Sequence, residues 1–178
     1  MWISAIVALA VCVFGLVILC AVFNELVGSH PTDQQMLDNF QAHKTEFSQL
    51  LQMFLADQKL MGVAYHWTDP ADLQSAGITP ERLKAYDGLF WKVNLGLALR
   101  PSLSLRRHYG QEDLEAVKFT VSTRGLAVSG SAKGYVYTFK RPSLMVDNLD
   151  TYRSKDSKSF TAYRYIEGNW YLFYDYDD

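Results

Sequence analysis

In 178 residues the chain carries 17 Lys and Arg against 19 Asp and Glu, a formal net charge of −2. That near balance argues against a nucleic-acid-binding surface, which would be distinctly basic. Both cysteines, Cys12 and Cys20, lie in the first two dozen residues. The rest of the chain therefore has neither disulfide nor thiol chemistry, and cysteine usage leaves the redox compartment open.

From Ile3 to Phe23 no side chain is charged. As a helix these 21 residues would span about 31 Å, matching a hydrocarbon core of roughly 30 Å. The spacing predicts a transmembrane anchor within residues 1–29, with the lipid bilayer as a partner of residues 3–23. The run is longer than the apolar stretch of a secretory signal, about 7–15 residues, and no basic residue precedes it, which favours an anchor over a cleaved signal peptide. Eight residues apart on a helix, Cys12 and Cys20 are separated by about 12 Å of rise, too far for a mutual disulfide. The first basic residue is Lys44, so the positive-inside rule has little to act on. With two residues ahead of the span, the expected placement is a single pass through a bacterial inner membrane, with the C-terminal domain in the periplasm.

Residues 30–178 are one domain's worth of chain. Thr32-Asp33-Gln34-Gln35 is a capping-box pattern, and Phe40, Phe47 and Phe54 recur every seven residues, so a long amphipathic helix is expected here. Val63 to Trp67 alternates as one strand and ends at Asp69-Pro70. Thr79-Pro80-Glu81 opens a second helix, with Leu83, Tyr86, Phe90 and Val93 as its buried face and Gly96 as its close. Period two then takes over. Val117, Phe119 and Val121 lead to a turn at Arg124-Gly125, Leu126 and Val128 start the return, and Tyr135, Tyr137 and Phe139 continue it. Phe160–Ile166 and Trp170–Tyr176 form a final hairpin across Glu167-Gly168-Asn169. The predicted fold class is α+β: a transmembrane helix, then an antiparallel sheet with two main helices on one face.

Each chemical motif has a plainer reading. Gly125 to Gly134 lacks the Gly-Lys-Ser/Thr order and following helix of a phosphate loop, so Gly130 and Gly134 read as bulges or close backbone approaches. Ser131 and Lys133 share a strand face but lack the Ser-x-x-Lys spacing of a serine/lysine hydrolase. His30, His43, His66 and His108 have no His or Cys partner at ligand spacing. Asp147, Asp150, Asp156, Asp175, Asp177 and Asp178 lack calcium-loop spacing. The cluster Arg100, Arg106, Arg107 and His108 is answered at once by Glu112, Asp113 and Glu115 and reads as a solvated face. No catalytic, cofactor-binding or metal-binding residue is assigned, and no cofactor is implied.

The aromatic content of the last hairpin remains. Tyr163, Tyr165, Trp170, Tyr171, Tyr174 and Tyr176 must populate both faces of two strands, which makes them candidate partner-binding residues if one face is open. The competing reading is that both faces are covered.

Phe40 to Phe47, Gly77-Ile78-Thr79-Pro80-Glu81-Arg82-Leu83, Ser131 to Tyr135 and Ile166 to Tyr171 resemble, in order and spacing, segments of uncharacterised small single-span membrane proteins of Gram-negative bacteria. The resemblance spans most of residues 30–178 and implies topology and class but no catalytic residue. Some such proteins accompany secreted-toxin loci, which implies an immunity role. The function expected from the sequence is a non-catalytic, membrane-anchored envelope protein whose periplasm-facing domain binds another protein, with immunity as its specific form. The alternative is an envelope hydrolase or small-ligand binder whose site is assembled only in the fold.

Overall fold

The computed structural model describes residues 29–100, 116–126, 129–154 and 159–177. The chain divides into two units, residues 1–30 and 31–178. The second holds helices α1 (Asp33–Ala42), α2 (Lys44–Ala56), α3 (Leu73–Ala76) and α4 (Pro80–Val93), and strands β1 (Gly62–Ala64), β2 (Trp67–Asp69), β3 (Leu97–Leu99), β4 (Ala116–Leu126), β5 (Ser129–Thr138), β6 (Phe160–Glu167) and β7 (Trp170–Asp177). The strands form one sheet in the order β2-β1-β3-β4-β5-β7-β6, antiparallel throughout.

This corrects the expected fold class. The described residues form a seven-stranded antiparallel sheet with four helices, a mostly β arrangement in place of the expected sheet with two main helices on one face. The longest helix among the described residues, α4, has 14 residues, about 21 Å of rise against the roughly 30 Å a bilayer core requires. Among the described residues no helix is long and apolar enough to cross a membrane. The expected span, residues 3–23, lies outside the described residues. The reading as a single-pass inner-membrane protein with a periplasmic domain is corrected accordingly.

Local chemistry explains the differences within the domain. Thr32 caps α1 through the expected box: its hydroxyl accepts from Gln35 N, and Gln35 Oε1 accepts from Thr32 N. The long helix then breaks at His43, whose backbone (φ −125°, ψ 29°) leaves the helical region. The seven-residue stripe survives the break, because Phe40 and Phe47 both pack on Trp170, with ring centroids 5.3 and 5.9 Å away. The single strand expected over Val63–Trp67 is instead a hairpin. Tyr65 and His66 form its turn, and His66 takes the left-handed φ of 55° that the reversal needs. Helix α4 closes at Asn94, left-handed at φ 55°, two residues before Gly96.

Trp170 is the hub of the face the helices cover, with Phe119 at 5.6 Å and Tyr137 at 5.3 Å completing its ring of neighbours. Tyr135 passes through the same layer. Its hydroxyl donates to Met36 O and accepts from Asn39 Nδ2, and burial pushes it up to about 12 against the pull of the Asn39 bond. Val136, Tyr163, Tyr171 and Phe173 form a second, smaller buried cluster. At Gly134 the backbone of β4 comes so close that a Cβ would lie 2.2 Å from Phe119 O and 2.9 Å from Thr120 Cα. The β4–β5 register shifts at this point, between Thr120 and Ser122.

Four charges join the helices to the sheet. Asp33, in the first turn of α1, and Lys133 of β5 are both buried, with Lys133 Nζ 2.7 Å from Asp33 Oδ1. That contact is one of charge and not of hydrogen-bond direction, and Oδ1 accepts no hydrogen bond. Asp33 Oδ2 accepts from Leu149 N at 2.8 Å and from Arg164 Nη1 at 2.9 Å. Lys133 also donates to Pro31 O and to Asp150 Oδ1, while Asp33 N donates to the Asp150 carboxylate. Two carboxylates and two cations thus tie the start of α1, the loop at 149–150, β5 and β6 into one knot.

Removing one partner of such a pair leaves the other buried and uncompensated. K133M is expected to cost about 3–5 kcal/mol in urea unfolding. Burial pushes Asp150 upward, but the Lys133 hydrogen bond, the Asp33 N–H and the Lys133 charge pull harder, holding it below the usual carboxylate value. Its contribution is therefore full above that usual value and is lost as pH falls through the lowered one. Unfolding free energy measured against pH is expected to decline below about pH 4, and less steeply in D150N.

Candidate functional site

The structure answers the hydrolase reading first. Ser131 and Lys133 share a face of β5, as the two-residue period requires. However, an ammonium has three donors and no acceptor, and Lys133 Nζ is surrounded by oxygens of Asp33, Asp150 and Pro31. It is committed to the fold and has nothing left to offer Ser131. Residues around Gly125–Gly134 belong to the β4–β5 hairpin, so no helix follows to receive a phosphate.

The other charged residues singled out in the sequence are placed by packing. Asp175 pairs with Lys118 at 2.8 Å, and the Lys118 ammonium lies 4.7 Å over the Phe173 ring. Arg100 donates to Leu60 O and Phe54 O, capping the end of α2, with its guanidinium 4.8 Å over the Phe54 ring. His43 sits 3.8 Å from Glu46 at the α1–α2 junction. Arg106, Arg107, His108, Asp156 and Asp178 lie outside the described residues. Among the described residues no group of three or more His, Cys, Asp or Glu is arranged to hold a metal ion.

The six aromatic residues expected to bind a partner divide sharply. Tyr163, Trp170 and Tyr171 are buried, and Tyr174 is half-buried against the main core. Tyr165 and Tyr176 are exposed, but each is already engaged within the hairpin. Tyr165 packs edge-on to Tyr171 at 5.6 Å, and Tyr176 stacks on Phe160 at 5.5 Å. Most of this hairpin's aromatic surface is core on one face or the other.

Other exposed rings lie outside this hairpin, Phe139 after β5 among them. Tyr65 is 69 % exposed and Trp67 45 %, both on the β1–β2 hairpin, and Trp91 on α4 is 87 % exposed. The Trp67 ring lies across Gly62, where an added Cβ would meet it at 2.9 Å; the missing side chain makes the seat. The Tyr65 ring packs on His66 with centroids 3.9 Å apart. His66 Nδ1 in turn reaches Asp87 Oδ2 of α4 at 3.5 Å. Trp67, paired with Ala64, lies on the opposite face of the sheet from Phe119 and the helices. Asp87 and Trp91 are four residues apart and share a helix face. Asp87 is unusual there: its side chain is 13 % exposed, and Oδ1 is buried with no hydrogen-bond partner.

Sequence reasoning passed over these residues. Reading Val63–Trp67 as one strand hid the turn that brings Tyr65 and His66 outward. For Trp91 a signal was present. The stripe Leu83, Tyr86, Phe90, Val93 fixes the buried face of α4, and Trp91 falls a quarter turn off it, on the polar side.

Comparison of the chain with family models, with curated proteins and with solved structures gives no match in any of the three.

Exposure decides what each tryptophan contributes to stability. W91S is expected to shift the unfolding temperature by less than about 2 °C. W170S removes the hub of the core and is expected to cost about 3–5 kcal/mol. Thermal and urea unfolding of the two variants make the comparison.

Proposed function

We propose that this domain is a non-catalytic module that binds another protein through exposed aromatic residues of the β1–β2 hairpin and α4. The observation that carries the reading is the exposure of Tyr65 and Trp67 on the β1–β2 hairpin and of Trp91 on α4. Single exposed apolar residues are ordinary, but exposed tryptophan and tyrosine are the residue types enriched in interface hot spots. Two rigid indoles and a phenol supply large contact area at low entropic cost. The absence of a competing chemical site among the described residues agrees with this: the buried lysine and carboxylates are consumed by the fold.

The partner-binding reading thus moves away from the Tyr163–Tyr176 hairpin, most of whose rings are occupied inside the domain. The test is affinity capture with the full-length chain and with its W67S/W91S variant as parallel baits, read by quantitative mass spectrometry. The reading expects a stoichiometric protein on the wild-type bait that is lost from the variant, while thermal unfolding of the two baits coincides. A partner retained equally by both would move the binding surface elsewhere.

A further inference from the structure

One face of α4 is turned to solvent. Glu81, Lys84, Ala85, Gly88, Trp91 and Lys92 follow one another at helical spacing and are all exposed, opposite the buried Tyr86, Leu89, Phe90 and Val93. Two of them stand out. Trp91 is 87 % exposed, although an indole is among the most costly side chains to leave in water. Gly88 sits one turn before it, where an added Cβ would meet nothing within 4 Å. Neither crowding nor a left-handed backbone calls for glycine there, and glycine weakens an exposed helix relative to alanine.

We infer that this face pairs with the same face of a second copy of the chain, the two α4 helices running antiparallel about a two-fold axis level with the Tyr86–Asp87 peptide. The order of charges selects that occupant. About such an axis Glu81 of each copy comes level with Lys92 of the other, so both ends of the contact join opposite charges. Parallel pairing would set Glu81 against Glu81 and Lys92 against Lys92. At the crossing Ala85 meets Gly88 of the second copy on either side of the axis, and the bare glycine backbone admits a close approach. Trp91 shares a flank of the helix with Lys84, and helical side chains lean toward the N-terminus. The indole of one copy is thereby brought against the Lys84 side chain of the other, a favourable cation–π arrangement. The contact covers Trp91 and gives Gly88 a use. It assigns the α4 face to a copy of this chain and leaves Tyr65 and Trp67 to the partner of the reading above.

Sedimentation velocity of the full-length chain across a concentration series tests the pairing. A monomer–dimer equilibrium is expected with a Kd on the order of 100 µM, since one helix face falls below the area of a standard interface. W91S is expected to weaken it at least about tenfold with the unfolding temperature unmoved. G88L, for whose side chain the single chain has room, is expected to do the same while the unfolding temperature holds or rises. E81K and K92E are each expected to weaken the dimer at least about fivefold, and E81K/K92E to restore it to within about twofold. A chain that stays monomeric throughout, or a dimer that W91S and G88L leave unchanged, would overturn the inference. So would an E81K/K92E chain that folds but dimerises no better than either single variant.

Discussion

The helix layer of this domain is held in register with its sheet by a buried ion pair, Asp33 with Lys133. Apolar packing between Phe40, Phe47, Tyr135 and Trp170 is non-directional and would tolerate a helix sliding along the sheet. The charges do not tolerate it. A shift of a residue or two would leave an ammonium and a carboxylate buried apart, at a cost of several kcal/mol. Arg164 and Asp150 complete the knot from β6 and from the loop before it, so residues more than 100 positions apart share one polar cluster. Asp33 also lies in the first turn of α1, where the helix dipole favours negative charge.

That constraint bears directly on function. The Lys133 ammonium, considered in the sequence beside Ser131, is surrounded by oxygens of Asp33, Asp150 and Pro31. The same economy applies to the aromatics of the final hairpin. Trp170, Tyr171 and Tyr163 fill the two faces of the sheet. Exposed rings remain on the β1–β2 hairpin at the opposite end of the strand order, on α4, and at Phe139 and Tyr165. The proposed protein-binding role rests on those exposed rings.

Local signals were well expressed in the chain. The Thr32 and Thr79 caps, the α4 stripe, the close approach at Gly134 and the last hairpin were all legible, because each depends on residues near one another in sequence. Three features were not. The break at His43 follows from fitting two helices to one sheet and leaves no Pro or Gly to mark it. The β1–β2 turn uses a left-handed histidine where glycine or asparagine would have announced it. The Asp33–Lys133 pair is a tertiary contact across 100 residues, and no periodicity encodes it. The apolar run at residues 3–23 was read as a membrane span by length and hydropathy alone, a reading the described helices do not support.

The central claim is that Asp33 and Lys133 act on each other and not as independent polar residues. A double-mutant cycle with D33N, K133M and the double variant, read by urea unfolding at neutral pH, measures that coupling. A coupling energy of at least about 2 kcal/mol, with the double variant more stable than the sum of its parts, is the result the account requires. Additive losses, agreeing within about 0.5 kcal/mol, would show that the two charges stabilise the domain separately and that the helix layer is held to the sheet by packing alone.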